Sequence, residues 1–154
     1  GLVGSEMCIR DSDKCIKLEF PENLSKVHFI KMTLTEDGKV VSDNFYHRSL
    51  EENNYQDLCQ LAKVALQSAT TVDKNADGTW SAVSVIENKT STPALMIRLN
   101  VVDGKDDQQI LPVFYSDNYF SLLPGEKKEV RMSWRDEDTR GNEGKVLITG
   151  YNVE

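Results

Sequence analysis

The chain has 154 residues and a formal net charge of -7, which by length alone is about one domain of an acidic protein. It has no basic run or stripe, which excludes the electrostatic footprint of nucleic-acid binding, and no apolar run near the roughly 20 residues of a membrane-spanning helix. Three cysteines without a Cys-x-x-Cys pair, and two widely spaced histidines, give no four-ligand metal set.

The first segment, GLVGSEMCIRDS, has charges at Glu6, Arg10 and Asp11 where a secretory signal needs an unbroken apolar run. It resembles the translation of a transposon adapter from sequencing libraries, whose end reads Met-Cys-Ile-Arg-Asp, so residues 1–12 are set aside from the fold. The segment contributes -1 (Arg10 against Glu6 and Asp11), which leaves -6 on the remainder. From residue 13 the rhythm is of short alternating runs between turn signals, the mark of antiparallel β structure. CIKLEF (15–20) alternates, with Ile16, Leu18 and Phe20 on one face, and Pro21 ends it. HFIKMTL (28–34) puts Ile30, Met32 and Leu34 on one face. Asp37-Gly38 marks a hairpin turn, and KVVSDNFYHRS (39–49) is the returning strand.

SLEENNYQDLCQLAK (49–63) is the one helix-like patch, with Tyr55, Leu58 and Leu61 at three-residue spacing, and it reads as a connector. Seven strands follow: 64–72, 79–88, 94–103, 110–116, 119–123, 128–135 and 144–153. In the third, Leu95, Ile97, Leu99 and Val101 form the inward set; in the sixth, Val130, Met132 and Trp134 do. Seven strands in about 93 residues is the size of an immunoglobulin-like sandwich. The expected fold is therefore all-β: an immunoglobulin-like β-sandwich over 62–154, preceded by a partial β-sandwich and connector over 13–61 whose missing strands lie upstream.

Motifs that could carry chemistry are few. DKNADG (73–78) imitates the start of a calcium loop, but Ser84 stands where the bidentate Glu belongs, so a polar turn is expected. Asn142-Glu143 has the residue types of a retaining glycosidase acid/base, yet it sits between two glycines with no barrel to hold a second carboxylate. GKDDQQ lacks the spacing of a phosphate loop, and His28 and His47 have no nucleophile elbow beside them. Cys15 and Cys59 are read as buried free thiols, with a disulfide as the alternative. Trp80, Tyr115, Tyr119, Phe120 and Trp134 are read as core or interface, with a sugar-stacking platform as the alternative. Asn23-Leu24-Ser25 and Asn88-Lys89-Thr90 fit the N-glycosylation sequon.

At VIENKTSTPALMIRLNVVDG, ILPVFYSDNYFSLLPGEKKEV and VLITGYN the chain resembles the C-terminal immunoglobulin-like domain of glycoside hydrolase family 2 enzymes, the exo-β-D-glucosaminidase and β-mannosidase branch above all. Tyr151 stands where many relatives carry Trp. DGKVVSDNFYHRSLEENNYQDL resembles the end of the preceding sandwich domain, so the resemblance covers nearly all of 27–154. It implies a scaffold role beside an upstream catalytic barrel of the same polypeptide. The barrel's two Glu match no position here, so no catalytic, cofactor or metal residue is assigned. Asp117, Asn118, Tyr119 and Phe120 are the candidate interdomain contact. The full enzyme is expected to be exported and to release terminal β-linked mannose or glucosamine. A stand-alone immunoglobulin-like module for glycan binding or adhesion is the alternative.

Overall fold

The computed structural model describes residues 18–154. The adapter-like segment and the first half of the predicted strand 15–20, Cys15 included, lie outside the described residues. The chain divides into two compact units, the first ending at Asn54 and the second spanning Tyr55–Glu154.

The described part of the first unit is an antiparallel hairpin of β1 (Val27–Glu36) and β2 (Lys39–Ser49). Asp37 and Gly38 both have positive φ, the pair of left-handed conformations that a two-residue hairpin turn of the favoured twist requires. Residues 18–20, predicted to end a strand, are in no strand. Phe20 instead packs edge-on to His28 and lies under the Arg48 guanidinium. Ile30, Met32 and Leu34 do share a face, but Met32 and Leu34 are exposed, as are Val40, Val41 and Tyr46.

The second unit is the expected sandwich. Its first element is a 3-10 helix, Gln56–Gln60, rather than a longer helical patch. The Tyr55, Leu58, Leu61 spacing of three suits a helix with three residues per turn. Seven strands follow: β3 (Gln67–Lys74), β4 (Thr79–Glu87), β5 (Ala94–Asp103), β6 (Phe114–Tyr115), β7 (Phe120–Leu122), β8 (Lys127–Arg135) and β9 (Gly144–Thr149). They form one sheet in the order β3-β4-β8-β6 and another in the order β7-β5-β9. Predicted strand 110–116 shrinks to two residues because Pro112 offers no N–H to a ladder. Ile110 still donates to the Val101 carbonyl at 3.1 Å.

Period-two alternation sets the core. Ala82 and Ile86 from β4, Ile97, Leu99 and Val101 from β5, and Val130, Met132 and Trp134 from β8 are buried together with Ile110, Phe120 and Leu122. Burial of each large side chain contributes about 1.5–3 kcal/mol. The buried Ser84 hydroxyl keeps a partner across the ladder, Thr70 Oγ1 at 2.8 Å. Among the described residues no helix is long and apolar enough to cross a membrane.

Candidate functional site: an outward corner of the sandwich

Residues 116–119 join the two sheets between β6 and β7. Asp117 accepts from the Asn118 backbone N–H at 2.7 Å and forms an ion pair with Lys128. Asn118 acts like a strand residue. Its Oδ1 accepts from Leu99 N at 2.9 Å and its Nδ2 donates to Leu99 O at 3.0 Å, extending the β5 ladder beyond the short β7. Phe120 is buried in the core, with the Lys128 ammonium 4.8 Å from its ring centroid. Of the four candidate contact residues, Asn118 and Phe120 are therefore occupied within the sandwich, while Tyr119 is 59% exposed.

Tyr119 is held in the left-handed region, φ 59°, by an N–H that donates to Asn118 Oδ1 at 3.0 Å. Met96 on β5 is also left-handed, φ 52°, at a register shift between Ala94 and Ile97, and is 54% exposed. The Met96 N–H reaches Ser121 Oγ at 3.3 Å. The Arg98 guanidinium lies 5.8 Å from the Tyr119 ring centroid. A left-handed conformation costs a non-glycine residue roughly 1–2 kcal/mol, so two large apolar side chains are turned outward against local preference. The sequence reading missed Met96 and Arg98. The alternation of ALMIRLNVV already sets them on the face opposite Leu95, Ile97 and Leu99.

The remaining motif residues are pins rather than chemistry. Asn88 is fully buried; its Nδ2 donates to Thr92 O at 2.8 Å and Leu122 O at 3.0 Å, and its Oδ1 accepts from Thr90 N and Oγ1. Asn152 is equally committed, accepting from Leu95 N and donating to the Ala62 and Pro93 carbonyls. The Tyr115 hydroxyl oxygen accepts from the Val101 N–H at 3.2 Å, and burial raises the Tyr115 pKa above the ordinary phenol value.

The glycosidase-like pair is a loop brace. Asn142 donates to the buried Asp103 at 2.8 Å, and the Glu143 carbonyl accepts from Gly104 N at 2.9 Å. Asp103 is held below the ordinary carboxylate range by the Lys105 N–H and then by Asn142. In the calcium-loop imitation, Asp77 accepts from Thr79 N and Oγ1, which lowers its pKa and closes the polar turn. The aromatics do not form one platform. Trp134 is buried, Trp80 stacks on it with ring centroids 6.4 Å apart, and the Trp80 Nε1–H donates to Asp136 Oδ1 at 2.7 Å. His28 is buried and His47 exposed, on adjacent strands of the hairpin. Cys59 is exposed, correcting the buried-thiol expectation: it lies in the polar 3-10 segment, where Tyr151 Oη approaches its sulfur at 3.6 Å. Among the described residues no group of three His, Cys, Asp or Glu is placed to hold a metal ion.

Comparison with known proteins agrees with this geometry. The profile of the exo-beta-D-glucosaminidase Ig-fold domain family matches residues 44–153. An exo-beta-D-glucosaminidase of Arthroderma benhamiae is 30% identical over 93% of this chain, which spans 18% of that protein. A mannosylglycoprotein endo-beta-mannosidase of Lilium longiflorum is 47% identical over 47 residues, covering 30% of this chain and 5% of that protein. The crystal structure of Amycolatopsis orientalis exo-chitosanase CsxA superposes with a TM-score of 0.80 at 27% identity, covering 90% of this chain and 19% of that one.

Proposed function

The chain belongs to the exo-beta-D-glucosaminidase Ig-fold domain family, and on that premise we propose that it is a non-catalytic, immunoglobulin-like part of a longer exo-β-glycosidase. The observation that carries this reading is coverage: the match runs along 93% of this chain yet spans only 18% of the relative. The whole enzyme would remove terminal β-linked glucosamine from oligosaccharides outside the cell. β-Mannosides are the second substrate class, favoured by the 47-residue likeness to the lily endo-beta-mannosidase. The inward commitment of Asn88, Asn118 and Asn152 supports a scaffold role, because these polar side chains are spent on loop carbonyls and N–H groups.

Tyr119, flanked by Met96 and Arg98, is the part of the 117–120 corner free to touch the rest of the polypeptide, the upstream catalytic barrel in this reading. The exposed hairpin face of Met32 and Leu34 is the surface that further strands of the same polypeptide would cover. A chimera tests the proposal: this chain replaces the matching segment of the Arthroderma benhamiae enzyme. The chimera should hydrolyse an aryl β-glucosaminide, whereas the chain alone should not. A well-folded but inactive chimera, together with oligosaccharide binding by the isolated chain, would favour a stand-alone glycan-binding module instead.

A further inference from the structure

Two asparagines stand in Asn-x-Ser/Thr sequences, Asn23 and Asn88, and the fold treats them oppositely. Asn88 has no accessible surface, and both protons of its Nδ2 are used, on Thr92 O and Leu122 O. A glycosylated amide nitrogen keeps one proton, so one of these bonds must be lost. The sugar would also leave from an atom enclosed beneath the turn at 122–126, whose Gly125 N and Glu126 O bond the Asn88 backbone. Glycosylation at Asn88 and completion of the sandwich therefore exclude one another.

Asn23 is exposed at the third position of a β-turn closed by Leu24 N donating to Pro21 O at 3.3 Å. Its amide makes no hydrogen bond among the described residues, and the sequon hydroxyl, on exposed Ser25, makes one short-range bond, donating to Val27 O at 2.7 Å. We propose that Asn23, and not Asn88, carries an N-linked glycan on the folded chain; this rests on the reading that the chain is exported. The donor class is a lipid-pyrophosphate-linked oligosaccharide. Asn23 Nδ2 bonds to C1 of the first sugar and the C1–O bond to pyrophosphate breaks. The lipid pyrophosphate leaves, and Nδ2 gives up one proton.

The test sends the full chain, with a signal peptide and a C-terminal tag bearing one sequon, through a glycosylating eukaryotic secretory host. Site occupancy is read by mass spectrometry after enzymatic deglycosylation in heavy-oxygen water. The signal peptide imposes lumenal entry and the tag reports it, so failure of the export reading would not alter the result. Secreted, folded protein should be occupied at Asn23 and bare at Asn88, with any Asn88 glycan confined to retained chains. Asn23→Gln should abolish the glycan mass at that site and leave the circular-dichroism melt of the whole chain unchanged. A folded fraction glycosylated at Asn88, or chains with an occupied tag and a bare Asn23, whether secreted or retained, would overturn the proposal.

Discussion

Replacing Asn88 with Ala removes four hydrogen bonds from a site with no water contact. The Thr92 carbonyl keeps a partner, because Thr90 Oγ1 also reaches it at 3.1 Å. The Leu122 carbonyl and the Thr90 N–H lose their side-chain partner. A buried orphan such as the Leu122 carbonyl costs about 1–3 kcal/mol and the half-buried Thr90 N–H about 1 kcal/mol, so the change should destabilise the second unit by about 2–4 kcal/mol. At about 4–8 °C per kcal/mol for a domain of this size, Tm should fall by about 8–32 °C. Both tryptophans of the chain, Trp80 and Trp134, lie in this unit, so their fluorescence during urea or thermal unfolding reports on it alone. Asn88→Asp should be at least as damaging at neutral pH, since an ionised carboxylate cannot donate to either carbonyl. Asn75→Ala, which loses only an exposed bond to Thr79, is the control. A loss below about 0.5 kcal/mol for Asn88→Ala, the range of ordinary surface changes, would refute the pin argument.

Three further outcomes follow from the same structure. A Cβ on Gly144 would meet Trp134 at 2.9 Å and Ile110 at 3.3 Å, so Gly144→Ala should cost about 1–3 kcal/mol by overpacking, read by the same fluorescence melt. Tyr119→Ala should change the isolated chain by less than about 1 kcal/mol, since it loses chiefly an exposed cation–π contact, but should lower the Tm of the active chimera without a matching fall in kcat; equal small shifts in both would remove the docking role. Asp136 is held below its ordinary value of 3.8 by the Lys74 ammonium at 2.8 Å and then by the Trp80 indole. A depressed native pKa adds stability that is complete above the unfolded value and lost as pH falls through the native one. Acid unfolding below about pH 4 should therefore be shallower in Asp136→Asn than in the parent chain.

The sandwich was legible because its strands alternate cleanly. Val130, Met132 and Trp134 face in while Glu129, Arg131 and Arg135 face out, and Asp37-Gly38 announces its own turn. The short strands were less legible: β6 is cut by Pro112, and β7 is so brief that Asn118 completes its pairing with β5 through a side chain. No propensity marks a side chain that substitutes for backbone. The contact corner was located by resemblance but not resolved into parts, since burial of Phe120 and exposure of Tyr119 depend on a left-handed residue that the sequence does not encode by a glycine. Cys59 misled for a similar reason: cysteine is usually buried, but here it belongs to a polar 3-10 turn.

The central claim, a scaffold without its own catalytic centre, is tested most directly by hydrolysis. The purified full chain is incubated with an aryl β-glucosaminide and an aryl β-mannoside beside the chimeric enzyme at equal molar concentration. The account predicts release of the aryl group by the chimera and none above buffer by the chain. Robust hydrolysis by the chain alone, abolished by Glu143→Gln, would contradict it.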